Sequence, residues 1–401
     1  MPGRRTVAIA FAALAVWTLG RLLGSPTVHV VAVALGLLPL VAGLLARRAA
    51  PRVTARRILS TERAVPGERV HVDLELEGGG RRAIPFLLLE DSLPSAFGGA
   101  ARLVATRVPA RGRGTRTVSY AIDAPRRGRY AIGPLRLEVA DPFGFTPVRV
   151  DLELRDELVV TPPVEELRDL AGSPFGQAGG AALARRLARG GGEFSLMRPY
   201  REGDDLRRIH WPSVARRGEL MIRQDEASSR PRATLHLDTR ARALGAAGGA
   251  VFEHAVGVAA SVGVALLRSG LALRRSTGLL APEPTTEDAF LDTLAGVGED
   301  GADLFATLAR LRAAGTADAV LVVVTGALAP EELAALTRTG TAFGPRLAIL
   351  VPPHGGRDDA ADAALHTLAR AGWQVRAVPP GTSLRERWTI DAPTLRAGSS
   401  S

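Results

Sequence analysis

The chain has 401 residues, no cysteine and no lysine, and a formal net charge of +10 in which every basic residue is arginine. Without cysteine there are no disulfides and no thiolate metal sites, and without lysine there is no Walker A phosphate loop. Aromatics make up only 4% of the chain and the arginines are dispersed, so the charge lacks the stacking platforms of a single-strand nucleic-acid binder.

Thr6–Gly24 and Pro26–Ala46 are two apolar stretches of membrane-spanning length, separated by a short turn around Gly24-Ser25-Pro26. The pair predicts a helical hairpin over 1–50, in which Ala32 and Gly36, small residues four apart, let the helices approach closely. Arg4 and Arg5 precede the first stretch, and Arg47, Arg48, Arg52, Arg56 and Arg57 follow the second, while the turn region holds only Arg21. The positive-inside rule then places both ends in the cytoplasm, at the plasma membrane. The five-arginine cluster could also hold anionic membrane lipids.

Residues 51–160 predict a β-sandwich of the immunoglobulin-like kind. Val70, Val72, Leu74 and Leu76 alternate along Arg69–Glu77, and the runs Val118, Tyr120, Ile122 and Val148, Val150, Leu152, Leu154 do the same. Residues 161–192 open on Thr161-Pro162-Pro163 and close on Gly190-Gly191-Gly192, the composition of a linker. A signature segment follows over 193–231, and an α/β domain over 232–390. Its expected strands are Ala233–Asp238, Leu271–Arg275, Ala319–Thr325, Leu347–Val351 and Val375–Val378. Its expected helices are Phe252–Leu267, Glu287–Ala295, Asp303–Ala313, Pro330–Thr337 and Ala360–Ala371. Short continuous apolar strands alternating with helices predict a doubly wound parallel sheet. Residues 391–401 are expected to be a disordered tail.

The segment 193–226 mixes charges, aromatics and turn formers. It predicts a strand, a turn at Gly203-Asp204, a short helical stretch and a strand returning near Leu220–Arg223. Its residues Glu193, Arg198, Tyr200, Gly203, Asp204, Asp205, Arg207, Ile209, Trp211, Arg216 and Leu220 resemble the signature of the family called domain of unknown function 58. His210 and Pro212 depart from that pattern, where an acidic residue and a lysine are usual. The resemblance implies a von Willebrand factor A-like C-terminal domain and a MoxR-type AAA+ ATPase as partner. In such domains Mg²⁺ is held by an Asp-x-Ser-x-Ser motif at the end of the first strand. Here the matching positions are Asp238, Arg240 and Arg242, with Thr325 but no aspartate after a later strand. A guanidinium has no acceptor and repels a divalent ion, so the metal site reads as degenerate, with Asp238 pairing with an arginine or capping a loop.

No Gly-x-Ser-x-Gly or His-Glu-x-x-His motif is present. His236 and Asp238 lie two apart on one strand, with no serine assigned to them by a motif. The expectation is a non-enzymatic, membrane-anchored platform for protein interaction that uses no cofactor. One alternative is a hydrolase using Asp204, Asp205 and His210, since adjacent carboxylates push their pKa values apart. Another is a membrane-attached nucleic-acid binder acting through arginine.

Overall fold

The computed structural model describes residues 4–49, 53–80, 83–139, 148–167, 195–199, 218–225, 231–353 and 359–389. The chain divides into two compact units, Met1–Thr161 and Pro162–Ser401.

The first unit opens with helices α1 (Arg4–Leu23) and α2 (Pro26–Ala49). The turn between them passes through Gly24 at φ +62°, a conformation that costs glycine little. The helices pack where their side chains are small. Ala32 is buried, and the Cβ position of Gly36 lies 3.9 Å from the Ala13 methyl. The Trp17 ring meets the His29 ring edge-on, with centroids 4.7 Å apart.

Among the described residues ten strands follow: β1 (Val53–Leu59), β2 (Arg63–Ala64), β3 (Arg69–Gly78), β4 (Ile84–Ser92), β5 (Ala100–Val108), β6 (Arg116–Asp123), β7 (Gly128–Ile132), β8 (Leu135–Val139), β9 (Val148–Leu152) and β10 (Asp156–Val160). They form sheets of order β1-β3-β6, β2-β10-β7 and β5-β4-β8-β9. All pairings are antiparallel except β2 with β10, so the region contains a mixed sheet. β3 has the expected alternation, and its inward row divides between two cores. Leu74 and Leu76 pack with Leu87, Leu89, Leu135 and Leu137, while Val70 and Val72 pack with Ile132, Leu158 and Val160.

Arg57 corrects one expectation. Its side chain is fully buried, with Nε and Nη2 donating to the two Asp91 oxygens at 3.0 and 2.6 Å and Nη1 bonded to Asp156. Tyr120 donates to Asp91 Oδ2 at 2.7 Å. A guanidinium committed to two carboxylates inside a β-core cannot reach a lipid headgroup, whereas Arg56 on the same strand is exposed. Gly133 makes this packing possible, because a Cβ there would lie 2.0 Å from the Leu154 carbonyl oxygen, and its φ of +107° suits no other residue.

The second unit begins with a segment packed against its body. The Glu165 N–H donates to Ser261 Oγ at 2.9 Å, and its carboxylate accepts from the Ser383 hydroxyl and from the Leu384 and Arg385 N–H groups. Leu167 packs on the same core. The described start of the segment read as a linker is therefore docked, at residues 162–167. Next come β11 (Ser195–Pro199) and β12 (Met221–Asp225), paired antiparallel in a two-stranded sheet. These are the outgoing and returning strands expected of the signature segment.

The remaining strands are β13 (Arg232–Leu237), β14 (Ala272–Ser276), β15 (Glu283–Pro284), β16 (Val320–Thr325), β17 (Arg346–Leu350) and β18 (Gln374–Ala377). They form one sheet of order β15-β14-β13-β16-β17-β18, parallel except for the β15 edge. The helices are α3 (Ala241–Leu244), α4 (Ala250–Arg268), α5 (Glu287–Ala295), α6 (Leu304–Ala313), α7 (Pro330–Gly340), α8 (Asp359–Arg370) and α9 (Leu384–Thr389). Alternate strand residues point to opposite faces. Leu235, Leu237, Val322 and Val324 pack with α4, α5 and α9, and Leu321, Val323, Ala348 and Leu350 pack with α6, α7 and α8.

Among the described residues, three helices are long and apolar enough to cross a membrane: Thr6–Leu23, Pro26–Leu44 and Ala250–Arg268. The first two are 6% and 17% buried, the third 61%. The apolarity of α4 thus serves the core of the second unit, while the N-terminal pair leaves Phe11, Leu22, Val30 and Leu40 facing outward.

Candidate functional site

The strand order reverses at β13. Its chain successor β14 lies on one side and β16 on the other. In open α/β sheets, the carboxyl ends of the two strands flanking such a reversal frame a crevice where ligands bind. Here those ends carry Asp238, just after β13, and Thr325, the last residue of β16.

Arg240 fills this position. Its Nε and Nη2 donate to Asp238 Oδ1 and Oδ2 at 2.8 and 2.7 Å, a bidentate fork. The Arg240 N–H adds a bond to Oδ1 at 3.2 Å, and Thr325 Oγ1 donates to Oδ2 at 2.8 Å. From its other side, Nη1 donates to Glu332 Oε1 at 2.7 Å, and Arg242 bonds to that same oxygen. Glu332 Oε2 accepts from the Ala329 N–H at 3.0 Å, so this carboxylate also caps α7, where the helix dipole favours negative charge. Asp238, Arg240 and Glu332 are all buried, whereas Arg242 stands at the mouth. Two guanidiniums face two carboxylates, so the formal charges cancel.

The protonation states follow from these contacts. Burial pushes the Asp238 carboxyl up, but the bonds from Arg240 and Thr325 and the nearby positive charge outweigh it and hold it below the usual range. Burial likewise works against the Arg240 guanidinium, and its bonds to Asp238 and Glu332 raise it further above its ordinary value.

Two loops brace the cluster. Thr239 Oγ1 donates to Asp300 Oδ2 at 2.6 Å and accepts from the Gly278 N–H at 3.2 Å. A Cβ on Gly278 would sit 2.6 Å from Asp300 Oδ2, and one on Gly326 would sit 1.9 Å from the Ala243 carbonyl oxygen. The turns after β14 and β16 therefore approach the site closely enough to require glycine.

His236 lies on β13 with its Nδ1 3.2 Å from Ser276 Oγ. The Ser276 hydroxyl also lies 3.1 Å from the Leu280 carbonyl, to which it can donate, so it stands between that carbonyl and the imidazole. Asp238 is committed to Arg240 and Thr325. Burial pushes the imidazole pKa down to about 4 despite the pull of Asp238, leaving the ring neutral.

Of the residues singled out from the sequence, Asp238, Arg240, Arg242 and Thr325 come together, and Asp238 does pair with an arginine. Glu332 was missed. Its one signal was its place in the first turn of an expected helix, which does not reveal a partner 92 residues away. Arg198 lies on β11 in register with Ile222 of β12. Glu193, Tyr200, Gly203, Asp204, Asp205, Arg207, His210, Trp211 and Arg216 lie outside the described residues. No group of three or more His, Cys, Asp or Glu positioned to hold a metal occurs among the described residues.

The family model described as Protein of unknown function DUF58 matches residues 196–352, a span that begins inside the signature segment, after Glu193, and includes the whole Arg240 cluster. A similar curated protein is the Uncharacterized protein YeaD of Bacillus subtilis (strain 168), 25% identical over 241 residues, or 58% of this chain and 57% of that protein. The match thus spans little more than half the length of that relative. Among solved structures, the CARDB domain of the PF1109 protein from Pyrococcus furiosus is 11% identical, with a TM-score of 0.21 over 27% of this chain and 91% of that one. Spo0M, a sporulation control protein from Bacillus subtilis, is 18% identical, with a TM-score of 0.14 over 27% and 49%. Neither structural likeness bears on function.

Proposed function

We propose that the chain is a non-enzymatic protein-interaction platform. The N-terminal hairpin holds it at the cell membrane, and its sheet-rich units lie in the cytoplasm, where they bind a MoxR-type AAA+ ATPase during assembly or activation of a larger complex. On this reading the second unit is a von Willebrand factor A-like interaction domain, and the strands of residues 53–160 form an immunoglobulin-like spacer or binding module. The two outward-facing apolar helices support the anchor. Of the five arginines that follow the hairpin in sequence, Arg47, Arg48, Arg52 and Arg56 are the ones left to this role, with Arg57 withdrawn.

One observation carries the proposal. The crevice where a ligand or divalent ion would enter is occupied by the chain's own guanidinium, with every charge paired. Arg240 supplies permanently what a bound cation would supply reversibly: it ties the end of β13 to the start of α7. Calorimetric titration of the full chain with Mn²⁺ tests this. No binding tighter than millimolar is expected. Micromolar binding that disappears in Asp238→Ala would overturn it.

A further inference from the structure

Helices α6 and α7 lie on the same face of the six-stranded sheet, and a groove of about 520 Å³ lies between them. Its base is apolar: Leu308 of α6 and Ala335 of α7 are buried there, with Ala309 beside them. On α6 the lining positions 305, 308, 309 and 312 follow the period of a single helix face. At one end Phe305 leaves 46% of its surface in solvent. Two turns further on, about 10 Å along the axis, stands Arg312, and Arg338 in the last turn of α7 lines the groove from the other helix.

The charges point to what covers this face. Arg232, Arg268 and Arg275 in the same unit pair with Asp318, Glu287 and Glu283. Arg312 and Arg338 are exposed at the groove and form no ion pair among the described residues. Each lies in the last turn of its helix, where a cation offsets the helix dipole, but that interaction leaves the guanidinium fork open to a carboxylate. An exposed aromatic and an apolar floor ending in two unpaired arginines match one side of an amphipathic acidic helix.

We propose that the α6–α7 groove docks an acidic amphipathic helix of a partner protein, with apolar side chains on Phe305 and Ala309 and carboxylates about seven residues further on against Arg312 and Arg338. The groove is separate from the Arg240 cluster and from any metal binding there. It rests on the reading of this unit as a protein-binding platform, and it names the chemistry of the bound segment.

The test uses the full chain in nanodiscs and three fluorescent, helix-stabilised peptides. One carries a leucine stripe ending in glutamates, the second replaces the glutamates with lysines, and the third replaces the leucines with serines. Only the first is expected to bind. The double charge reversal Arg312→Glu with Arg338→Glu, at exposed positions where the helix-end charge costs only a small part of stability, is expected to weaken that binding about tenfold or more, with the double change Arg312→Gln and Arg338→Gln as the milder control. It should also admit the lysine peptide. Failure of the acidic peptide to bind, or equal binding before and after reversal, overturns the proposal. So does a reversal that leaves peptide binding intact while abolishing self-association or binding to anionic vesicles, which would give the face to a second copy or to lipid. Mn²⁺ titration reads the strand-end site alone, so loss of one result leaves the other standing.

Discussion

Arg240 is held by two buried carboxylates, and the energetics of such a cluster are asymmetric. Burying the ions together costs about as much as their attraction returns, but removing one partner strands the others. Arg240→Ala leaves Asp238 and Glu332 without their shared cation and is expected to cost about 3–5 kcal/mol in thermal or denaturant unfolding. Asp238→Ala combined with Arg240→Ala should cost less than the sum of the two single changes, because the groups are coupled. Arg240→Ser with Arg242→Ser should lower stability in buffer and regain part of it with added Mn²⁺. His236 gives a pH signature. Its folded pKa of about 4 lies below the ordinary 6.5, so the unfolded chain binds a proton that the folded chain refuses. Stability is full above pH 6.5 and falls as pH drops toward 4, by about 3 kcal/mol across that window. Replacing His236 with a non-titrating residue should flatten this part of the melting-temperature profile. The pairing of Asp238 with an arginine was legible because the sequence places guanidiniums where hydroxyl ligands belong. The burial of Arg57 was not. It follows a helix long and apolar enough to cross a membrane, in a run of arginines, and its partners Asp91 and Asp156 lie 34 and 99 residues away. Arg57→Ala is expected to destabilise the first unit by about 3–5 kcal/mol. Affinity for anionic vesicles should stay unchanged, and loss of it without loss of stability would return Arg57 to the membrane.

Periodicity read the elements of the second unit well. The expected helix Glu287–Ala295 is observed with those bounds, and the five expected strands all appear within a residue or so. Continuous runs such as Val320–Thr325 are buried along their length because helices cover both faces. The two-residue strands β2 and β15 are too short to leave a pattern, so the parallel β2–β10 pair and the antiparallel edge had no local signal. Docking of residues 162–167 was equally silent, since a Pro-rich opening reads as linker while its hold depends on Ser261 and Ser383 elsewhere in the chain. Glycines report packing that propensity hides. Gly263 lies inside α4, where alanine is normally the better residue, yet a Cβ there would stand 2.2 Å from the Phe290 ring of α5. Gly263→Ala is therefore expected to destabilise by about 1–3 kcal/mol through overpacking. Combining it with Phe290→Leu should recover part of the loss, and a stabilised single variant would show that α4 and α5 do not pack this way.

The chain has two units rich in sheet, the first of which opens with the apolar helical pair, and the region matched by the family model, 196–352, lies wholly in the second. The functional account depends on where that unit sits. In the proposed orientation, argued from the arginines that flank the hairpin on its outer sides, both chain ends lie in the cytoplasm, so a reporter active only outside the cytoplasm and fused at Ala397 is expected to stay silent. A strong signal would put the platform on the wrong side of the membrane for an ATP-driven partner. The most direct measurement is the partnership itself. The full chain in nanodiscs is titrated with a purified MoxR-type ATPase, in the nucleotide-free, ATP-bound and ADP-bound states, and complex formation is followed by light scattering. The account expects a saturable complex whose affinity depends on the bound nucleotide. No complex in any nucleotide state would contradict it.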